Sequence, residues 1–201
     1  MSAHTALPSS DALAKAAALN VFDDSGKEVK FGSLIDNQKT ILVFIRHFFC
    51  GSCQQYVMQL ASVRKEALDE ANARLVVIGC GDWKLIKNYC ETTGYPYAMY
   101  ADPSRALYTT FGLVESLERT PAGQAKRSYL GKSFLGNLVK SVWEGPLKQP
   151  QFIGKQGNSS QLGGDFIFGP GETCSYASRM KHTEDHVEVA DLMKEAGVAY
   201  P

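Results

Sequence analysis

Short apolar runs alternate with longer amphipathic stretches along this chain, and that rhythm lays out its elements. Ile41-Leu42-Val43-Phe44-Ile45 is continuously apolar and rich in β-branched residues, the pattern of a strand buried on both faces, which predicts a strand over Ile41–Arg46. Leu75–Gly79 and Tyr97–Tyr100 are shorter versions of it. Between the first two, Cys53, Tyr56, Val57, Leu60, Ala61, Ala67 and Leu68 recur at helical spacing, predicting one helix from Gly51 to about Ala71. Asp82 caps a helix with inner face Leu85, Ile86, Tyr89 and Cys90, and Asp102-Pro103 opens another with proline at its first position. Upstream, Ser9-Ser10-Asp11 caps a helix through Ala12–Leu19, and Val21–Phe31 reads as a hairpin with a glycine-bearing turn. Downstream, Asp165–Phe168, the turn Gly169–Glu172 and Thr173–Ser178 read as strand, turn and strand. A helix over about Glu184–Ala196 stops at Gly197. Strands alternating with helices and then a hairpin predict an α/β fold with a mixed sheet.

Val114–Ser160 breaks the rhythm. It holds seven basic residues against three acidic ones, and Phe134, Leu135, Leu138, Val139, Val142 and Trp143 form one helical face stopped by Gly145-Pro146. The expected organisation is an N-terminal extension over 1–20 and one domain over 21–198, with an insertion at about 114–160 whose helix packs on the body as core or lid.

Composition narrows the function classes. The 201 residues carry 21 Lys+Arg against 21 Asp+Glu, so nothing points to nucleic acid, and no apolar run approaches the roughly 20 residues that span a bilayer. The first 20 residues lack the pattern of a signal peptide. Five cysteines, an odd number, do not suit a secreted disulfide scaffold, so a reducing, cytoplasmic setting is expected.

Two of those cysteines carry the candidate chemistry. Cys50 and Cys53 stand in a C-x-x-C where the apolar strand gives way to a helix. Unpaired N–H groups and the helix dipole favour an anion there, so the Cys50 thiolate forms more readily than in a free cysteine. Structural readings stand beside this one. Cys53 continues the apolar face of its own helix, and a zinc half-site lacks a second C-x-x-C. Cys80, Cys90 and Cys174 read as packing cysteines, with Cys80 the exception to watch because it ends a strand at the same sheet edge. His182 and His186, one helical turn apart, read as a solvated helix start before a metal pair. No metal or cofactor is expected.

The ordered set Arg46-His47-Phe48-Phe49-Cys50-x-x-Cys53, Val76-Val77-Ile78-Gly79, Tyr100-x-Asp102-Pro103 and Gly163-Gly164-x-Phe166-Ile167-Phe168-Gly169-Pro170-Gly171 resembles the peroxiredoxin-like 2 family, an AhpC/TSA-type branch of the thioredoxin superfamily. The resemblance spans about Val21 to Val198. It implies a thioredoxin-like fold and thiol-dependent antioxidant or reductase activity, with Cys50 matching the attacking cysteine and Cys53 its partner. The chain departs from typical peroxiredoxins at two points. His47 stands where they carry Thr or Ser, and Gly163-Gly164 stands where they carry an arginine. Gly163-Gly164 also replaces the cis-proline of thioredoxins. In such a sheet the last strand runs parallel to the strand that delivers Cys50, so Arg179 at its end is a candidate replacement for the arginine. Of Arg46 and His47, strand alternation predicts that only one faces the thiol.

The cycle this implies has the Cys50 thiolate attack an O–O or S–S bond, Cys53 resolve it as a disulfide, and an external thiol system, thioredoxin or glutathione, reduce that bond. Its substrates are hydroperoxides or related small oxidised molecules, and a homodimer is compatible with it. Two alternatives stay open. One is a specialised reductase for an endoperoxide, lipid or secondary metabolite, and the other is a non-enzymatic redox-sensing adaptor.

Overall fold

The computed structural model describes residues 2–130 and 152–201. One mixed seven-stranded sheet runs through it in the order β2-β1-β5-β4-β3-β6-β7. The strands are β1 (Asn20–Phe22), β2 (Glu28–Lys30), β3 (Lys39–Phe44), β4 (Ala73–Gly79), β5 (Ala98–Ala101), β6 (Gly164–Phe168) and β7 (Cys174–Arg179). The most continuously apolar strands, β3 and β4, pair in parallel near the centre, with β5 parallel on one side and β6 antiparallel on the other. The β1–β2 hairpin extends the β5 edge, and β7 closes the other. Flanking helices complete the expected α/β architecture.

Side-chain alternation divides the interior in two. Ile41, Val43, Leu75, Val77 and Ile167 point into one core, and Leu42, Phe44, Val76, Ile78, Phe166 and Phe168 into the other. The first core packs against helices α3 (Gly51–Leu60), α4 (Lys65–Glu70), α5 (Ile86–Thr93) and α7 (Val189–Glu195). The second packs against α1 (Ser10–Ala17), α2 (Phe31–Ile35) and α6 (Ala106–Thr110). Both cysteines of the C-x-x-C belong to the first. Ser9 caps α1, its hydroxyl accepting from Ala12 N at 3.2 Å.

Three helices differ from the sequence pattern. The single helix predicted over 51–71 breaks at Ala61–Arg64, where the Tyr97 hydroxyl takes the Val63 carbonyl and Ser62 Oγ bonds the Gln59 carbonyl at 2.7 Å. Both halves keep their apolar residues buried, so periodicity survives the break. Asp102 caps α6 through Leu107 N at 2.9 Å and Ala106 N at 3.3 Å. Pro103 nevertheless lies in the preceding turn, and Arg105, at φ 59°, separates it from the helix. The last helix begins at Val189, five residues after the predicted start, because tertiary acceptors take the amides before it. Val187 N donates to Asp165 Oδ2 at 3.0 Å and His186 N to Tyr129 Oη at 3.0 Å.

Of the insertion, the predicted helix over Phe134–Trp143 lies outside the described residues. Glu115 and Gln161 form a lone antiparallel bridge beside β6, and a 3₁₀ turn at Ser128–Leu130 packs against α3. No helix among the described residues is long and apolar enough to cross a membrane.

Candidate active site

Cys50 is the N-cap of α3, in extended conformation at φ −78° and ψ 110°. Its sulfur therefore sits where the first turn's amides are unpaired and the helix dipole is positive. Only 4% of the residue is exposed, yet it lines an open cleft of about 500 Å³ with Arg46, His47, Phe49, Ser52 and Leu117. Arg119, Lys126, Leu130 and Glu184 line the same cleft.

Arg46 engages both cysteines. Its Nη1 lies 3.3 Å from Cys50 Sγ, its backbone N–H donates to Cys53 Sγ at 3.4 Å, and its Nη2 is anchored on the Ser159 carbonyl at 2.6 Å. Below it, the Cys80 thiol donates to the Arg46 carbonyl at 2.8 Å. Ser52 Oγ lies 3.2 Å from Cys50 Sγ and donates to the Thr183 carbonyl at 3.0 Å. These partners act on the thiol. A hydrogen bond from Cys53 is the largest influence, and together with the charges of Arg46 and His47 and the Ser52 hydroxyl it outweighs burial, holding Cys50 well below the ordinary thiol range. Cys53 shows the reverse: full burial, then the adjacent Cys50, push it well above.

The sequence places Arg46 and His47 on opposite faces, and the structure corrects this. Strand β3 ends at Phe44, so alternation no longer governs these residues and both border the cleft. His47 is half-buried, and its Nδ1 has no hydrogen-bond partner among the described residues. Burial lowers its pKa, the Cys50 charge opposes, and Arg46 lowers it further.

Arg179 is the second correction. Strand β7 does run parallel to β3, being antiparallel to β6, but Arg179 shares the face of Ala177, which belongs to the core opposite Cys50. Its guanidinium bonds the carbonyls of Phe111 at 2.5 Å and Ala6 at 2.7 Å and lies over the Phe166 ring. The cation at the thiol is Arg46, from the residues just past β3.

Gly163-Gly164 has a packing reason. A Cβ on Gly163 would stand 1.9 Å from the Phe44 carbonyl oxygen, and one on Gly164 2.8 Å from the Ser178 oxygen. Bare backbone lets β6 begin close against β3 and β7, which sets Asp165 beneath the cysteines. The other thiols are pushed up by burial, Cys80, Cys90 and Cys174 each to about 11.

The sequence pattern predicts a solvated helix start at His182 and His186. Instead, His182 and His186 are buried and face different partners. His182 Nδ1 accepts from Glu184 N at 3.3 Å, whereas His186 Nδ1 bonds Asp165 Oδ1 at 3.0 Å and its Nε2 reaches Cys53 Sγ at 3.9 Å. Neither Asp165 nor His186 carried a local signal of this placement.

The model of the AhpC/TSA antioxidant-enzyme family matches residues 59–182, a span that begins downstream of both site cysteines. Peroxiredoxin-like 2C of Mus musculus is 34% identical over 188 residues, which cover 92% of this chain and 80% of the mouse protein. Among solved structures, Peroxiredoxin Q of Xanthomonas campestris superposes with a TM-score of 0.58 at 13% identity, over 95% of this chain and 92% of that one. BcpB, a peroxidoxin of Mycobacterium tuberculosis, superposes at 0.56 and 12%, over 89% and 88%. At such identities the likeness is one of fold. The chain belongs to the AhpC/TSA antioxidant-enzyme family, within the peroxiredoxin-like branch of the thioredoxin superfamily.

Proposed function

We propose that this protein is a thiol-dependent oxidoreductase that reduces hydroperoxides, with Cys50 as nucleophile and Cys53 as the resolving thiol. The observation that carries it is the guanidinium of Arg46 at 3.3 Å from Cys50 Sγ, at the wall of an open cleft. A thiolate is the reactive form of cysteine, and a fixed cation beside it both stabilises that form and faces the oxyanion that leaves when an O–O bond breaks. Cys50 attacks the terminal peroxide oxygen, the alkoxide or hydroxide leaves and takes a proton, and Cys50 becomes a sulfenic acid. Cys53 then displaces the sulfenic hydroxyl as water, closing a Cys50–Cys53 disulfide that an external dithiol reduces. Phe49, Leu117 and Leu130 among the cleft's cationic groups suit a peroxide with an apolar body.

The test is NADPH consumption coupled to thioredoxin or glutathione, with hydrogen peroxide, an alkyl hydroperoxide and a bicyclic endoperoxide compared. Turnover of the first two that is lost in Cys50→Ser supports the reading. Turnover confined to the endoperoxide moves the protein to a specialised reductase, and activity that survives Cys50→Ser rules the mechanism out.

A further inference from the structure

Cys53 has a chemical difficulty that the mechanism must meet. It is fully buried, out of contact with bulk solvent, and must lose a proton to attack. In the reduced protein the neighbouring Cys50 sulfur, held low as a thiolate former, is the charged group beside it. Once Cys50 carries oxygen or a mixed-disulfide partner it is no longer a thiolate, and its neutral sulfur is too weak a base to take the Cys53 proton. Among the described residues the other side-chain acceptor at Cys53 Sγ is His186 Nε2, at 3.9 Å, within hydrogen-bonding range of a sulfur.

The imidazole is held for such a task. Its Nδ1 faces Asp165 Oδ1 at 3.0 Å; in the neutral imidazole, a hydrogen on Nδ1 directed at that oxygen leaves Nε2 a lone pair facing the thiol. Asp165 is wholly buried, with its second oxygen bound by Val187 N at 3.0 Å. The ring stacks on Tyr56, centroids 4.4 Å apart and planes 5° apart, and the neighbouring Tyr129 hydroxyl accepts from His186 N. Residues from three separate elements thus converge into a line of carboxylate, imidazole and thiol beneath the helix end.

We propose that His186 is the general base of the resolving step, accepting the Cys53 proton as Cys53 attacks oxidised Cys50, and that Asp165 is a positioning residue that fixes its tautomer. This rests on the peroxidase reading above for its oxidant. In that step the Cys53–H bond breaks, the Cys50–Cys53 bond forms, and the sulfenic hydroxyl leaves as water with the proton relayed from His186. During reduction an external dithiol supplies two electrons and two protons, and one of those protons passes through the imidazole to the departing Cys53 sulfur.

The test separates the two oxidation steps by rapid quenching and mass spectrometry, using hydrogen peroxide in one arm and dithiobis(nitrobenzoate) in the other. In the second arm Cys50 takes one nitrothiobenzoate, and Cys53 then expels it as the thiolate, so resolution is read without any peroxide chemistry. In His186→Gln, modification of Cys50 should stay within about twofold of wild type, while closure to Cys53 slows roughly a hundredfold. Asp165→Asn should slow closure by a smaller factor. In both variants kcat/KM for peroxide should persist while kcat falls.

The pH profile keeps the proposal testable even if these variants fold poorly. The groups facing His186 are Cys53 and Tyr56 from α3, Tyr129 from the 3₁₀ turn and Asp165 from β6; the adjacent Asp185 pairs instead with Arg127 at 2.9 Å. An unassisted Cys53 would close about tenfold faster per pH unit from about pH 6 to about pH 9, and wild type should climb less steeply. Closure at the wild-type rate in His186→Gln, or a full tenfold climb in wild type, overturns the assignment. Absence of sulfenic acid in the peroxide arm, with closure in the other arm still dependent on His186, would overturn the peroxide reading and leave this one standing.

Discussion

Arg46 binds Cys50 with its guanidinium and Cys53 with its backbone amide, 3.3 Å and 3.4 Å from the two sulfurs, so one residue touches both thiols of the C-x-x-C. The guanidinium cannot swing away freely, because Nη2 is held on the Ser159 carbonyl at 2.6 Å. Cys50 is depressed, so its reactive thiolate persists to lower pH than that of an ordinary thiol and is lost as pH falls through the depressed value. Arg46→Gln should raise the alkylation midpoint of Cys50 by about one pH unit and cut the rate roughly tenfold at pH values below the wild-type midpoint. Iodoacetamide kinetics across pH, read by peptide mapping, check this. An unmoved midpoint would remove Arg46 from the site.

Cys80 should not substitute for Cys53. Its thiol is pushed up to about 11 by burial and is occupied in donating to the Arg46 carbonyl. Peroxide-treated Cys80→Ala should still form the Cys50–Cys53 disulfide, at a stability cost of about 1 kcal/mol for the lost hydrogen bond. Cys53→Ala should form none and advance to sulfinic acid instead. Digestion under non-reducing conditions shows which pair closes, and a Cys50–Cys80 peptide would reverse the assignment.

Arg179 belongs to the fold and not to the thiol. Its contacts are with the Phe111 and Ala6 carbonyls and the Phe166 ring, tying the N-terminal segment to the far face of the sheet. Arg179→Met should leave Cys50 alkylation within about twofold of wild type and lower unfolding free energy by about 1–2 kcal/mol, measured with urea. A tenfold loss of reactivity in a folded variant would contradict the placement.

Gly163→Ala should be disruptive, since the new methyl would meet the Phe44 carbonyl oxygen at 1.9 Å, backbone that cannot yield without moving β3 or β6. A loss of about 3 kcal/mol is expected by denaturation. Because Asp165 lies two residues on, closure to Cys53 should slow as well. A neutral substitution would mean that the strands separate easily there.

Much of this fold could be read along the chain. The apolar runs of β3 and β4 and the C-x-x-C at a strand-to-helix junction are local signals, and they led to the sheet, the candidate nucleophile and the helix that carries it. The parity of β7 was also present in the sequence. Ala177 and Arg179 share a face, and knowing which core takes Ala177 would have removed Arg179 from the thiol.

Where a side chain goes once its strand has ended is not local information. Arg46 follows the last residue of β3 by two positions, so alternation ceases to direct it and the Ser159 carbonyl decides its course. His186 and Asp165 stand 21 residues apart, and the same amides that would have begun a helix near Glu184 are taken by Asp165 and Tyr129. Sequence periodicity records which residues are buried, because burial repeats with the geometry of each element. It carries no record of which buried polar groups meet, because those meetings depend on how separate elements cross, and that decided the surroundings of Cys53.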